Sequence, residues 1–319
     1  MDQVSKMRPP KQQIHLCTLT SILLLVWLTA CQNTPTPFIA PGTGTITPEP
    51  GGTTVSSSAT LPPTESPTPT NTPIPLALTV NGESITLAEY EAALARLLAA
   101  QPGLLPEEAR TRILDEFIDQ LLLSQTAVQS GFVVDRTLLE ERTNALVEQI
   151  GGADALNAWL ADNGYTEEFF QLELRRAIAA AWMRDQIIAS VPETAEQVHT
   201  RQLLLFSVAE ANDVFSQLQS GVTFDVMLAY YDPISLGDLG WFPRGYLTET
   251  AIEEAAFALE PGAYSPVIET ELGFHILQLI ERQTDRPLDP NVRLTLQEKT
   301  VSSWLEQQRT LSDILIVNP

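Results

Sequence analysis

The chain has 319 residues, 44% of them hydrophobic, which is enough for two domains with appendages. A formal charge of −22 argues against a nucleic-acid backbone as partner, because phosphates carry the same sign. The only cysteines, Cys17 and Cys31, lie close together near the start, so neither a disulfide framework nor a metal cluster can be built in the folded part, and no cofactor is expected.

Residues 1–30 read as an export signal. Lys6, Arg8 and Lys11 supply a positive start, and Ile14 to Ala30 supplies an apolar stretch. At about 17 residues that stretch sits at the lower edge for a spanning helix. It ends in Leu28-Thr29-Ala30-Cys31, which resembles the bacterial lipobox. That resemblance implies cleavage before Cys31 and a lipid on its sulfur, so the chain is expected to be anchored to a membrane without spanning it. Residues 31–75 are dominated by Thr, Pro, Ser and Gly, with almost no large apolar side chain. Such a segment cannot bury enough surface to offset its chain entropy, and a stalk is expected.

Folded structure is predicted from Leu76. Alternation through Val80, then Asn81-Gly82, reads as a hairpin, and Thr86 with Glu89 makes a capping box for a helix from Leu87 to Ala100. A second helix follows Pro106, with Ile113, Leu114, Phe117, Ile118, Leu121, Leu122, Gln125 and Val128 tracing one face, and Gly131 closes it. Further helices are predicted near 137–150, 153–162 and 167–189, the last capped by Thr166. This helical domain is placed at 76–193.

A second domain is placed at 194–284. Leu203 to Phe206 is its predicted first strand, and 209–219 and 223–230 are short helices broken by Gly221. Glycines at 237, 240 and 245 mark tight turns, and a helix spans Glu249 to Leu259 before Pro261-Gly262. Phe274, Ile276, Leu277, Leu279 and Ile280 form a buried strand that carries His275. On residue type alone, that histidine reads first as a core or edge imidazole satisfied by a backbone carbonyl. Arg282 to Arg286 reads as a linker, and Asp289-Pro290 opens a final helix bearing Val301, Trp304 and Leu305.

The ordered set Gly237-Asp238-Leu239-Gly240-Trp241-Phe242-Pro243-Arg244-Gly245, Phe257-Ala258-Leu259, Pro261-Gly262 and Gly273-Phe274-His275-Ile276-Leu277 resembles the parvulin family of peptidyl-prolyl isomerases. The earlier run resembles the N-terminal chaperone region of the SurA and PrsA group of secreted foldases. Its matching pieces include Val80-Asn81-Gly82-Glu83, Ile113-Leu114-Asp115, Gly131-Phe132 and Gly164-Tyr165-Thr166-Glu167-Glu168-Phe169. Together these imply an α+β chain: a helical chaperone domain completed by 285–319, with an inserted domain built on a small, mostly antiparallel four-stranded sheet.

The resemblance also implies a site. His275 matches the family's second histidine, and Gln202 in Thr200-Arg201-Gln202-Leu203 stands where the first is usual. Leu247 matches the proline-pocket wall, Ile252 falls where phenylalanine is usual, and Phe257 and Phe242 match aromatic positions around the pocket. Thr270 matches a family hydroxyl. Asp232 is the candidate for the acidic or thiol position and is also a natural Asx-turn residue before Pro233. His199 is expected to point elsewhere. The implied activity is prolyl cis/trans isomerisation of unfolded or newly exported polypeptides with X–Pro bonds. The alternative is a parvulin-like module that binds such chains without catalysis.

Overall fold

The computed structural model describes residues 74–317; the export signal, Cys31 and the stalk lie outside the described residues. Strands β1 (Leu76–Val80) and β2 (Glu83–Thr86) form the expected hairpin. Asn81 and Gly82 both take positive φ (51° and 85°), the conformation a two-residue hairpin turn requires. Thr86 then caps helix α1 (Leu87–Ala100): its hydroxyl accepts from the Glu89 N–H, and the Glu89 carboxylate accepts from the Thr86 N–H.

Helices α2 (Pro106–Gln129), α3 (Arg136–Ile150), α4 (Ala153–Asp162) and α5 (Glu167–Ala189) follow. The α2 stripe Ile113, Phe117, Ile118, Leu121 and Leu122 is buried with Leu78, Val80 and Ile85 of the hairpin. Val128, placed on that face by periodicity, is exposed; it lies in the last turn, past the end of the core. A charged network ties hairpin to helices. Arg176 of α5 pairs with Glu83 at 2.8 Å and with buried Glu173 at 2.7 Å, while Gln125 of α2 donates to Glu83 and to the Val80 carbonyl. Removing one member would leave a buried charge without its partner, so the network fixes where the hairpin docks.

The second half contains β3 (Thr194–Leu205), α6 (Val208–Gln219), α7 (Phe224–Tyr231), β4 (Asp238–Pro243), α8 (Thr250–Ala258), β5 (Ile268–Thr270) and β6 (Gly273–Pro287). The four strands form one antiparallel sheet in the order β4-β3-β6-β5. Its two faces bury different clusters. Leu203, Leu205 and Ile276 pack with Val214, Leu218 and Leu228 of α6 and α7; Leu277 and Leu279 pack with Ile252, Ala256 and Phe257 of α8. The fold is therefore α+β, with a small antiparallel sheet of four strands.

Two expectations are corrected. Strand β3 starts at Thr194 instead of Leu203, and Phe206 lies beyond its end and is exposed. Arg282 to Arg286 is not a linker but the continuation of β6, paired with the first half of β3 from His199 opposite Glu281 to Thr194 opposite Pro287. Both extensions are mostly polar, and backbone pairing with each other, and of β3 with β4, makes them strands. After the expected final helix, α9 (Pro290–Leu311), a short strand that the sequence did not announce, β7 (Ile314–Ile316), pairs with β1. Val301, Trp304 and Leu305 of α9 pack near Leu123, Ala180 and Ile187, and Arg309 bonds to Asp115 and Asp119 of α2. The chain's last helix thus rests on its first ones.

One glycine is required by close approach. Gly237 has φ +64°, and a Cβ there would stand 1.9 Å from the Gln202 carbonyl oxygen and 2.8 Å from Leu228. The contact exists because the Gln202 N–H donates to the Gly237 carbonyl at 2.8 Å. Gly237→Ala is expected to lower stability by about 2–4 kcal/mol, from a left-handed residue plus overpacking, as measured by urea denaturation. A loss under about 0.5 kcal/mol, the ordinary surface effect, would contradict the close approach.

Candidate functional site

Alternation along the strands builds the site. Leu277 and Leu279 point to the α8 face, so His275, two residues before Leu277 on β6, shares it. Gln202 on β3 stands opposite Leu277, which makes it the diagonal neighbour of His275 on that face. On the other side, Ile268 of β5 stands opposite His275 and Thr270 opposite Gly273, so Thr270 is the second diagonal neighbour. Three polar side chains therefore lie in one row across three strands.

They are hydrogen-bonded in that order. His275 Nδ1 lies 2.9 Å from Gln202 Oε1, and His275 Nε2 lies 2.8 Å from Thr270 Oγ1. A carbonyl oxygen can only accept, so Nδ1 carries the proton and Nε2 accepts from the threonine hydroxyl. The Thr270 oxygen in turn accepts from the Leu272 N–H at 3.1 Å, which aims its proton at the ring. His275 is 3% exposed. Burial pushes its pKa below the ordinary histidine value, and the Glu249 carboxylate opposes part of that shift. The result is a neutral imidazole of one tautomer, locked on both nitrogens. Gln202 keeps its amide NH2, which has no protein partner among the described residues.

The apolar candidates fall into two groups. Ile252 is buried in the core cluster under α8, and half-buried Leu247 and Ile268, the residue opposite His275, each pack against that cluster. The backbone of Leu247 is held by Glu253, which accepts from the N–H groups of Gly245 at 2.7 Å and Leu247 at 3.0 Å. Sequence reading missed Glu253; its signal was an acid in the first turn of the helix after a glycine turn. Phe242 and Phe257 belong to the interior instead. Phe242 has no exposed surface and meets the buried Phe257 ring edge-on at 6.1 Å, in the same core cluster as Ile252.

Asp232 lines a depression of about 270 Å³ together with Gln202, Leu204, Tyr231 and Gly237. Its carboxylate is turned to its own loop: it accepts from the Ser235 N–H and hydroxyl and from the Gly237 N–H. These bonds, the Ser235 hydroxyl first, hold its pKa below the usual carboxylate value. Asp232 thus forms the Asx turn that supports Gly237 and, through it, Gln202. It makes no hydrogen bond to His275. His199, as expected, points elsewhere: Nε2 pairs with Asp238 at 2.8 Å and the ring stacks on Trp241. Among the described residues no cluster of His, Cys, Asp or Glu could hold a metal, and no helix is long and apolar enough to cross a membrane.

Comparison with known proteins gives the class of the second half. Residues 208–281 match the Rotamase family, described as the PPIC-type PPIASE domain, so the chain contains a PPIC-type parvulin domain. Its relatives carry foldase and chaperone names. The chain is 25% identical over 261 residues to the chaperone SurA of Thiobacillus denitrificans, covering 68% of this chain and 58% of that protein. It is 25% identical over 253 residues to the foldase protein PrsA of Clostridium perfringens, covering 63% of this chain and 71% of that protein. The chain thus spans less than two thirds of that SurA relative's length. Among solved structures, the PrsA peptidylprolyl isomerase of Bacillus cereus aligns with a TM-score of 0.43 at 20% identity, covering 71% of this chain and 86% of that one.

Because the folded state disfavours protonation of His275, the stability it contributes is present above about pH 6.5 and is lost as pH falls through the depressed folded value. In an NMR titration of the folded chain, the His275 ring protons are expected to shift with a midpoint below about 6.5. A midpoint above that value would mean the ring is not held neutral by burial.

Proposed function

We propose that this chain is a membrane-anchored, extracytoplasmic peptidyl-prolyl cis/trans isomerase and foldase for exported proteins. The observation that carries the reading is the hydrogen-bonded row Gln202, His275 and Thr270 beside the Leu247 and Ile252 wall. Rotation about an X–Pro bond faces a barrier of about 18–20 kcal/mol set by amide resonance, and needs neither nucleophile nor metal. Twisting the amide breaks that resonance and leaves a lone pair on the prolyl nitrogen. A catalyst must grip the proline ring on an apolar wall and offer a hydrogen bond that is stronger to the twisted amide than to the planar one.

The row supplies such a donor. Thr270 orients His275, His275 engages the Gln202 carbonyl oxygen, and the Gln202 NH2 is left to donate towards the bound amide. Glutamine stands where the parvulin family has histidine, so the donor is a neutral amide that does not titrate. Asp232 supports this corner through Gly237 and takes no direct part. The lipobox-like sequence ending at Cys31 supports an anchor outside the cytoplasm, and the foldase name of the relatives supports a folding role.

A second reading is favoured by the same glutamine together with the helical domain. A cavity of about 530 Å³ there is lined by Leu123, Phe132, Leu138, Ile178 and Trp182, a surface on which an unfolded chain could be held without isomerisation. The readings separate in one assay of a proline tetrapeptide. Isomerisation is expected above the buffer rate, with kcat/KM lowered at least about tenfold by His275→Ala or Leu247→Asp, each tenfold being about 1.4 kcal/mol of transition-state stabilisation. Wild-type chain that gives no acceleration while still suppressing aggregation of an unfolded client would establish the second reading. For the anchor, Cys31→Ser is expected to move the chain from the membrane pellet to the soluble fraction of the producing cells; continued pelleting would remove the lipid.

A further inference from the structure

The loop between β4 and α8 carries Leu247, the wall of the proposed slot, and is held from two sides. From α8, Glu253 takes the N–H groups of Gly245 and Leu247. From α9, the Lys299 ammonium donates to the carbonyls of Gly245 at 3.0 Å, Tyr246 at 2.8 Å and Leu247 at 3.2 Å. Three donors meet three consecutive acceptors, which is the full capacity of an ammonium group. Three carbonyl oxygens turned to one point repel each other, and a cation between them converts that repulsion into charge-assisted bonds. Lysine suits this geometry better than the flat fork of arginine. Leu296, three residues earlier on α9, lies under Gly245, 3.7 Å from where a Cβ would stand.

The other end of α9 is fixed to the helical domain. Trp304 and Leu305 pack near Leu123 and Ile187, and Arg309 pairs with Asp115 at 2.8 Å and Asp119 at 2.6 Å. The helix that completes the first domain therefore also grips the backbone of the second domain's pocket wall. We propose that Lys299 is a positioning residue for the isomerase slot, setting the place of Leu247 from a helix outside the catalytic sheet. The proposal rests on the isomerase reading above and assigns part of the slot's geometry to α9.

The test compares full-length wild type with Lys299→Met, which keeps the side chain's stem and removes its donors. Expected is a rise of about tenfold in KM for the proline peptide with kcat held, because the wall is displaced while the hydrogen-bonded row is intact. In a Leu247→Ala background the same change adds nothing to KM. Amide exchange of the Leu247 N–H is expected to quicken about tenfold while amides inside α8 stay protected. Arg309→Met, remote from the loop, lowers Tm and leaves KM alone. Lys299→Met with wild-type KM and wild-type exchange at Leu247 overturns the proposal, as does a fall in kcat with KM unchanged, which marks only a loss of folded protein. Should the wild type not isomerise at all, the isomerase reading fails, and exchange at Leu247 alone decides whether Lys299 holds the wall.

Discussion

The ladder between β3 and β6 runs from Thr194 opposite Pro287 to Leu205 opposite Phe274, and the second domain depends on its register. Because side chains alternate, a slip of one residue would carry Gln202 and His275 to opposite faces and exchange the two cores for each other. Register is pinned from both sides of the sheet. Leu203, Leu205 and Ile276 must meet α6 and α7, and Leu277 and Leu279 must meet α8. The close approach of Gly237 to Gln202 adds a backbone bond that tolerates no side chain.

Given that register, the chemistry follows from burial and neutrality. A charged imidazole in this place would lose water on one side and gain no carboxylate in hydrogen-bond reach, since both of its nitrogens are engaged by uncharged groups. Three acids of this half are used elsewhere, Asp232 on its own loop, Asp238 on His199 and Glu253 on the backbone around Leu247, and Glu249 acts on the ring only through its field. What remains is a set of neutral dipoles beside an apolar wall. That suits a reaction in which an amide twists and no bond is made or broken.

The two halves of the molecule share more than a junction. The α9 helix returns to the first domain through Arg309 and Trp304, its following strand joins β1, and Lys299 reaches the loop of Leu247 on the way. Charge does this work at each end, in a chain whose acidic excess leaves few cations to spare. The helical half and the four-stranded sheet are thereby built on one continuous support.

Much of this was legible in the residues themselves, wherever a signal is local. Asn81-Gly82, the Thr86 and Glu89 box, Thr166, Pro106 and Pro290 mark turns and helix starts through their own backbone chemistry, and the apolar periods of α2 and α8 announce their buried faces. The polar halves of β3 and β6, the short β7 and the grip of Lys299 were not legible, because each exists only through a partner distant in the chain. The same holds for Phe242 and Asp232. The family resemblance placed both near the site, but whether a ring is buried or open, and whether a carboxylate faces outward or its own loop, is decided by what packs around it. Local sequence chose the elements; the pairing of distant strands chose which side chains would meet.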